Sequence, residues 1–495
     1  MKGIQEIGKQ LAPAVSLRRE FLQRIGGGFG MLALSQLMAS DNAFAAMEQQ
    51  TANPLAPQKT HLPTKAKSII FLFMHGGASH IDTFDPKPTL QKLHGQLLPP
   101  SLANLQLQFT KANEAPIMGS PFKFRKHGQS GIEVSELFPN VAKRVDDLAI
   151  IRSCYHDGFT HSLAMNLMLN GSPRLGFPSL GSWTIYGLGS ENQNLPAFIV
   201  MLDGGIKAGP PAYGSGFLPA VYQGTVMRTQ GSPFLNINPP EQITNSQQRD
   251  LLDRLKWLNQ RHLETRADDS NLSARIASYE LAFRLQTEAP DLADLSKETE
   301  ATKGLYGIDQ EVTRDFGLKC LFARRLVEKG VRFIQLYSGT SDDNDDWDTH
   351  QRNDEGQRRM SRRVDKPIAG LLADLKQRGL LDSTLVVWGG DFGRTPVTDG
   401  NLQSGNGSNS GRDHNPYGFT MWLAGGGVKG GQVIGSTDEL GFKAIEDPFH
   451  VHDFHATLLE LMGLDHTRLT YFFQGRNFRL TDVHGDHPLT KRLLA

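Results

Sequence analysis

The sequence predicts an α/β fold with a doubly wound, mostly parallel sheet. Uninterrupted apolar runs such as Ser68–Met74 are typical of strands that are covered on both faces. Amphipathic segments of helix length, such as Val364–Arg378, alternate with these runs. Histidine, aspartate and arginine residues cluster just beyond several strands, where open α/β sheets form their ligand crevice.

The order of the predicted elements along the chain supports this fold. The strands after Ser68–Met74 are five further apolar runs: Leu148–Ser153, Leu195–Leu202, Val331–Tyr337, Thr384–Trp388 and Phe419–Ala424. Helices are predicted for Leu163–Leu169, Val364–Arg378 and Phe454–Met462. Residues 241–302 are charged, leucine-periodic and poor in glycine, so they predict a helical insertion packed on the sheet domain of residues 67–490.

The composition is that of a globular protein and excludes several function classes. The chain has 495 residues, of which 39% are hydrophobic and 21% charged. Lys+Arg and Asp+Glu balance at 52 each, so no overall field favours nucleic acid or an anionic membrane as a partner. Because Cys154 and Cys320 are the sole cysteines, any bound metal would be held by oxygen and imidazole ligands.

Residues 1–46 predict a twin-arginine signal peptide. Arg18-Arg19 precedes a mild apolar stretch, Ile25–Met38, and Ala43-Phe44-Ala45 supplies a cleavage pattern. The alternative is an amphipathic helix with a chance arginine pair. We therefore expect the twin-arginine export machinery as a partner, a flexible leader at residues 47–66, and a periplasmic or secreted protein. No segment approaches the ~18–20 apolar residues that a membrane span requires.

Candidate metal ligands lie next to the ends of predicted strands. Asp346, Asp348 and His350 follow Val331–Tyr337, and a carboxylate close to an imidazole can bind an ion such as Zn²⁺ or Mn²⁺. Asp391 lies in the turn Gly389–Pro396, and His414 precedes the strand Phe419–Ala424, so that a loop must fold back for it to join. The alternatives are a solvated acidic loop, a glycine-rich turn and a hydrogen-bonded loop histidine.

Other polar residues are candidates for binding and attacking a substrate. Arg394 offers a guanidinium fork for a tetrahedral oxyanion, and Arg412 is a second candidate for the same role. His80 is a further candidate, because the string His75–Asp82 carries more polar groups than a turn needs. Thr160 or Ser162 could be a nucleophile at a helix N-terminus, with His156 or His161 as base or ligand; the alternative is an N-capping residue.

Taken in order, these strings resemble an exported bacterial family of unknown function that is related to sulfatases and belongs to the alkaline phosphatase superfamily. The resemblance covers nearly the whole chain and rests on HGGASHIDTFDPKP, GFPSLGSW, WDTH, GGDFGRTP, GRDHNPYGF and DFHATLLELMG. It implies an alkaline phosphatase-like sheet, two metal ions, and a hydroxyl or thiol nucleophile at a helix N-terminus that transfers phosphoryl or sulfuryl groups.

By position, the resemblance assigns Asp348 (or Asp346), His350 and His414 to one metal site. It assigns Asp391 to a second site and places His75 where relatives have an aspartate ligand. The nucleophile position falls on or beside His161.

The expected function is therefore an extracytoplasmic hydrolase of phosphate or sulfate esters. It would use one or two divalent ions (Zn, Mn, Mg or Ca), and its substrate would be a small-molecule or polysaccharide ester. The alternative is a non-catalytic binding or assembly protein that retains the fold. Two features favour this alternative: Phe392 stands where a histidine usually follows the second-site aspartate, and the chain has no Cys-x-Pro-Ser-Arg motif.

Overall fold

The computed structural model describes residues 53–99, 107, 111, 114–235, 242–265, 270–399 and 410–494. The predicted signal peptide, residues 1–46, lies outside these residues. Within them the strands, in chain order, are β1 (Ser68–Met74), β2 (Phe124–His127), β3 (Ile132–Ser135), β4 (Leu148–Tyr155), β5 (Phe198–Met201), β6 (Thr225–Val226), β7 (Phe333–Ser338), β8 (Thr384–Gly390), β9 (Gly393–Asp399), β10 (Gly411–Asn415), β11 (Phe419–Gly425), β12 (Gln432–Ile434), β13 (Ser436–Thr437), β14 (Ala444–Glu446), β15 (Phe449–His450), β16 (Tyr471–Phe473) and β17 (Arg476–Phe478).

The helices of the same residues are α1 (His80–Thr83), α2 (Pro88–Lys92), α3 (His161–Asn170), α4 (Leu180–Leu188), α5 (Asn245–Thr265), α6 (Ser270–Ala293), α7 (Glu300–Leu305), α8 (Glu311–Glu328), α9 (Asn353–Gln377), α10 (Val451–Leu461) and α11 (Thr490–Leu494). The helices α5 and α6 lie within residues 241–302, the segment that the sequence predicts as a helical insertion, and α7 begins at the end of that segment. No helix among the described residues has the length and the apolar character needed to cross a membrane.

A nine-stranded sheet forms the centre of the described fold, in the order β12-β4-β11-β8-β1-β7-β5-β6, with β15 also paired to β4. The predicted mostly parallel sheet is confirmed: β11 is antiparallel to both β4 and β8, and the other pairs in this sheet are parallel. Because β11 runs against the others, its first residues lie at the edge where the parallel strands end. His414, just before β11, thus lies at this edge because the reversed strand begins there.

The central strand β1 is buried along its whole length because helices cover both faces of the sheet. Its alternate residues belong to two different cores: Ile70 and Leu72 to one, Ile69 and Phe71 to the other. The first core is filled from α8 and α9, and the second from α3, α4 and α10. This two-sided burial is what the uninterrupted apolar run predicted.

The ordered domain begins before residue 67, which corrects the predicted boundary of the flexible leader. Leu55 is buried, and the backbone of the following residues is paired with the domain. The N–H groups of His61 and Leu62 donate to the carbonyl oxygen of Gly463, and that of Ala66 donates to Leu461. A backbone whose donors are satisfied in this way packs as part of the fold.

Two histidines of α10 support α3 from its carboxyl end. The Nε2 atom of His452 lies 2.9 Å from the carbonyl oxygen of Gly171, and that of His455 lies 2.8 Å from the carbonyl oxygen of Met168. Carbonyl groups in the last turn of a helix lack partners within that helix, so these imidazoles satisfy them. This contact positions α3, whose first residue is His161.

The burial of His455 makes the fold sensitive to acid. Burial, together with the nearby His452, lowers the pKa of His455 to about 3 from the ordinary value near 6.5. The neutral imidazole of His455 therefore stabilises the fold fully above pH 6.5. This stabilisation is lost as the pH falls from 6.5 towards 3, because the unfolded chain takes up a proton that the folded protein does not. We expect this residue alone to reduce the free energy of unfolding of metal-free protein by about 2 kcal/mol between pH 7 and pH 5.

The measurement is urea denaturation at both pH values for wild type and His455→Gln. The glutamine amide can donate to Met168 but does not titrate, so its pH dependence should be weaker by that amount. Equal pH dependence in the two proteins would contradict the assignment.

Candidate metal centre

Five neighbouring strands bring the candidate residues to one edge of the sheet. His161 begins α3 after β4, and His414 lies in β10 just before β11. Asp391 follows β8, His75 follows β1, and the loop carrying Asp348 follows β7. Four of the side chains converge, with ligand atoms within 4.8 Å of one another: His161, Asp348, His350 and His414. We call these four side chains the metal centre.

The carboxylate of Asp348 lies in the middle of the metal centre. The Nε2 atom of His161 is 2.9 Å from its Oδ2 atom. The Nε2 atoms of His350 and His414 are 3.0 and 3.3 Å from its Oδ1 atom. The same two Nε2 atoms are 3.0 Å from each other. Three imidazole nitrogens and one carboxylate thus point at a common volume.

Each of the three imidazoles is held from behind through its Nδ1 atom. His161 contacts Oδ2 of Asp391, and His350 lies 2.6 Å from Oδ2 of Asp399. His414 lies 2.9 Å from the carbonyl oxygen of Phe159. Carboxylates and carbonyls can only accept, so each Nδ1 carries the hydrogen when the ring is neutral, and each Nε2 lone pair faces the centre. Metal-binding histidines are oriented in this way.

This donor set fits a divalent cation. Two Nε2 lone pairs that face each other at 3.0 Å repel unless a cation or a proton lies between them. Three imidazoles and one carboxylate are ligands of borderline ions, Zn²⁺ above all, and they suit Mg²⁺ or Ca²⁺ less well. We conclude that the residues present could hold one such ion.

Neighbouring charges keep the central carboxylate ionised. Burial alone would raise the pKa of Asp348, but the guanidinium of Arg394 and the three imidazoles hold that pKa well below its usual range. Burial lowers the pKa of His350, yet the carboxylates of Asp348 and Asp399 outweigh it and raise the pKa to about 8. Burial dominates at His414 and lowers its pKa to about 3. The carboxylate is therefore always available as a ligand.

Asp391, which is predicted as a ligand of a second metal site, lies behind the metal centre and not among its four side chains. It is fully buried and accepts from the Nδ1 side of His161 and, at 3.1 Å, from the N–H of Gly76. Its carboxylate therefore lies behind the ring of His161. Phe392 closes the same side, with its ring centroid 4.9 Å from His161 and 4.3 Å from His414.

His75 also lies outside the metal centre, contrary to its prediction as a ligand. Its ring is buried, and its Nε2 atom accepts a hydrogen bond from the backbone N–H of Lys207 at 3.0 Å. A nitrogen that accepts this bond has no lone pair left for a metal. The neighbouring Gly76 has φ +98°, and a Cβ there would lie 2.7 Å from the backbone nitrogen of Asp348. Glycine therefore lets the end of β1 approach the ligand loop.

The three predicted substrate-binding residues form hydrogen bonds inside the protein. Arg394 is fully buried and donates to the carbonyl oxygens of Gly76, Gly77 and Arg412 and to Asp348. Arg412 is fully buried and pairs with both oxygens of Asp82. The Nε2 atom of His80 lies 2.7 Å from the carbonyl oxygen of Gly441. Donors that are already bonded inside the protein cannot hold a substrate oxyanion.

The predicted nucleophile segment lies at the amino end of α3. Thr160 is the N-cap residue, is exposed and makes no capping hydrogen bond through its side chain. His161 points into the metal centre, so the structure favours the ligand role among its predicted alternatives. The hydroxyl of Ser162 donates to the carbonyl oxygen of Lys207 at 2.8 Å. Thr160 is thus the hydroxyl of this segment that remains a candidate.

Three residues that contact the metal centre were not predicted from the sequence. Asp399 and the carbonyl of Phe159 orient ligands, but nothing in the local sequence marks them, because tertiary contacts bring them to the centre. Lys207 was also missed, although it follows β5 as the other candidates follow their strands. Its Nζ atom lies 2.9 Å from Oδ2 of Asp348. Lys207 could have been predicted by considering the polar residues that follow β5, as was done for the other strands.

Comparison with known proteins gives one family and several solved structures. Residues 66–493 match the family described as "Protein of unknown function (DUF1501)". No curated protein matches the chain. The PsFucS1 sulfatase from Pseudoalteromonas sp. aligns with a TM-score of 0.35 and 14% identity, over 85% of this chain and 72% of that chain.

Two further solved structures are similar at the same level. The lipoteichoic acid synthase LtaP from Listeria monocytogenes aligns with a TM-score of 0.35 and 8% identity, over 87% of this chain and 80% of that chain. The alkaline phosphatase from the Antarctic bacterium TAB5 aligns with a TM-score of 0.32 and 12% identity, over 81% of this chain and 99% of that chain.

Zinc binding should depend on the residues that orient the imidazoles. We expect Asp399→Asn to lower the affinity for Zn²⁺ by about 10- to 100-fold, because the neutral amide holds the Nδ1–H of His350 less firmly. His350→Ala should lower it further. The measurement is competition with a chromophoric chelator, starting from metal-free protein. His127→Ala, on the hairpin of β2 and β3, is the matched control and should bind as wild type does; unchanged affinity in His350→Ala would contradict the metal centre.

Removing Arg412 should destabilise the fold. We expect Arg412→Met to lower the free energy of unfolding by about 3–5 kcal/mol, because Asp82 would be left as an unpaired buried charge. Urea denaturation of metal-free protein measures this loss. The double variant Asp82→Asn with Arg412→Met should recover part of it, since no lone charge remains. A single variant of wild-type stability would restore the substrate-binding hypothesis.

Proposed function

We propose a hydrolytic function for this chain, which belongs to the DUF1501 family of proteins of unknown function. Specifically, we propose a divalent-metal-dependent hydrolase of phosphate or sulfate esters. One observation carries the proposal: three imidazoles, each held at Nδ1, turn their Nε2 atoms towards the carboxylate of Asp348.

Position and exposure of the metal centre support an enzymatic role. It lies at the strand ends, where α/β proteins place their active sites. His350 keeps 26% of its side chain exposed, whereas His414 keeps 3%, so a substrate would approach from the side of His350. A cavity of about 210 Å³ opens there and is lined by Asp348, His350 and Arg359 among others. A site that is both built from ligands and open to solvent can admit a substrate.

Each residue of the metal centre and its neighbours would have a distinct role in the proposed hydrolysis. A bound divalent ion would supply a Lewis acid for the oxygen of the scissile group. His161, His350, His414 and Asp348 would hold it, and Asp391 and Asp399 would keep two of the rings in place. Lys207 would add a fixed positive charge beside Asp348. Thr160, between the carbonyl that orients His414 and the ligand His161, is the proposed nucleophile.

The ester class and the location rest on the sequence. The resemblance to the sulfatase-related family supports a phosphate or sulfate ester, either of a small molecule or of a polysaccharide. The twin-arginine string and the cleavage pattern of residues 1–46 support export to the periplasm or the medium. The export machinery would be the corresponding partner.

A non-catalytic binding protein is the second candidate, and a specific observation favours it. Phe392 packs against the rings of His161 and His414, and both predicted oxyanion-binding arginines are engaged inside the protein. A protein with one metal, in which Arg394 and Arg412 are both engaged inside the fold, could retain the fold for binding alone. Activity assays separate the two candidates.

The zinc-loaded protein should hydrolyse aryl phosphates or aryl sulfates, and His414→Ala should lose that activity. Loss of a partner that orients a ligand costs about 10–100-fold, so loss of the ligand itself should cost more than about 100-fold in kcat/KM. Thr160→Val should abolish turnover while zinc binding is retained, because the methyl group cannot attack.

Wild type, the two variants and His127→Ala should be assayed with both esters at equal zinc occupancy, and His127→Ala should retain wild-type rates. A wild-type protein that holds zinc and hydrolyses neither ester would refute the hydrolase and leave the binding protein.

A further inference from the structure

We propose that the ammonium of Lys207 occupies a second cation position beside the metal centre. The native protein would then hold one divalent ion in a site whose carboxylates could hold two. The inference rests on the proposed function in that Asp348 is shared by both positions. The inference concerns the contacts of Lys207 and not those of the imidazoles. It is tested with hard ions such as Ca²⁺ or Mn²⁺, whereas the proposed function is tested with zinc.

Three carboxylates surround the ammonium. The Nζ atom of Lys207 lies 2.9 Å from Oδ2 of Asp346, 2.9 Å from Oδ2 of Asp348 and 3.0 Å from Oδ1 of Asp343. The ligand oxygens of these aspartates lie within 4.8 Å of one another, so they could hold a metal ion by themselves. Asp346 is fully buried, whereas the side chain of Asp343 is 79% exposed. The position is thus a pocket closed on the inside and open at its rim.

The backbone N–H and the carbonyl oxygen of Lys207 are both hydrogen-bonded, which fixes the backbone from which the ammonium extends. Its N–H donates to Nε2 of His75 at 3.0 Å, and its carbonyl oxygen accepts from the hydroxyl of Ser162 at 2.8 Å. His75 directly follows β1, and Ser162 lies in the first turn of α3. Two residues that the sequence analysis predicted as a ligand and a nucleophile therefore position the lysine.

A buried imidazole completes the second position. His75 is fully buried, and its Nδ1 atom, which has no hydrogen-bond partner among the described residues, lies 3.8 Å from Oδ2 of Asp346. Because Nε2 accepts from Lys207, Nδ1 carries the hydrogen of the neutral ring. The imidazole thus directs a donor at the carboxylate, and it supplies no ligand atom. The second position is lined by oxygen ligands.

The two positions differ in the ions they would select. The metal centre has three imidazoles and one carboxylate, which favour Zn²⁺. The position of Lys207 offers carboxylate oxygens, which favour Ca²⁺, Mn²⁺ or Mg²⁺. Removing the ammonium should therefore create a site for a hard ion while the three imidazoles of the metal centre remain in place.

The fixed ammonium has a consequence for the proposed reaction. It balances the charge of Asp346 and Asp348 with a permanent group of the chain, whereas an ion could dissociate. A positive charge also remains beside the zinc position when the calcium or magnesium concentration changes. The activity of the native protein should therefore respond to zinc and be independent of added Ca²⁺ or Mg²⁺.

The test is the metal content of Lys207→Ala. Wild type and variant are equilibrated with Zn²⁺ and then with Mn²⁺ or Ca²⁺, desalted, and analysed by elemental mass spectrometry. We expect wild type to bind about one zinc and no hard ion, and Lys207→Ala to bind in addition about one Mn²⁺ or Ca²⁺ per chain. Thermal unfolding gives a second readout, since Ca²⁺ should raise the Tm of the variant and leave that of wild type unchanged.

Two matched variants define the cause. Lys207→Arg keeps the positive charge and should bind no hard ion. Lys207→Ala combined with Asp343→Asn removes one of the three carboxylates and should bind the hard ion at least about tenfold more weakly than Lys207→Ala. Lys207→Gln, which fills more of the space, replaces Lys207→Ala if the smaller side chain prevents folding.

A folded Lys207→Ala or Lys207→Gln protein that takes up no more Mn²⁺ or Ca²⁺ than wild type would overturn the inference. A wild-type protein that already holds a hard ion would overturn it as well. Loss of zinc from His350→Ala with an unaltered hard-ion result would leave the inference standing. Absence of zinc from wild type would refute the proposed function alone, because the hard-ion count is read separately.

Discussion

The burial of one carboxylate, that of Asp348, is the constraint on which the site depends. A charge that is removed from water must be paired or must hold a metal. Here three imidazoles, the guanidinium of Arg394 and the ammonium of Lys207 all contact it. His350 lies in the same loop as Asp348, and the other four partners come from distant parts of the chain, so folding has to bring those segments to the same point before the charge is satisfied.

The sheet makes this convergence possible. Parallel strands end at the same edge, and β11, which runs in the opposite direction, begins there. The hairpin of β9 and β10 then lies over the edge and carries both Asp399 and His414. His350 is held between these two residues, 2.6 Å from Asp399 and 3.0 Å from His414. The paired strands β9 and β10 thus supply His414 of the metal centre and the carboxylate that orients His350.

Arg394 and Arg412 show that burial can give a residue a role other than the one its side-chain type predicts. Arg394 and Arg412 were predicted to bind a substrate oxyanion because a guanidinium fork suits that role. In the fold both are fully buried, and their donors are used by carbonyl oxygens, Asp348 and Asp82. They stiffen the turns that carry the metal centre. The ammonium of Lys207, which follows β5, adds a further positive charge beside Asp348.

The sequence by itself determined the sheet, its main helices and most of the side chains that converge in the metal centre, because burial on both faces gives uninterrupted apolar runs and strand ends are visible from where those runs stop. His350, His414 and Asp348 could be identified in this way. Only the tertiary structure decided that His161 joins the metal centre, that Asp391 and His75 lie behind it, and that the ammonium of Lys207 lies beside Asp348. These roles depend on which ring nitrogen or carboxylate oxygen faces which neighbour, and residues that are distant in the chain set those contacts.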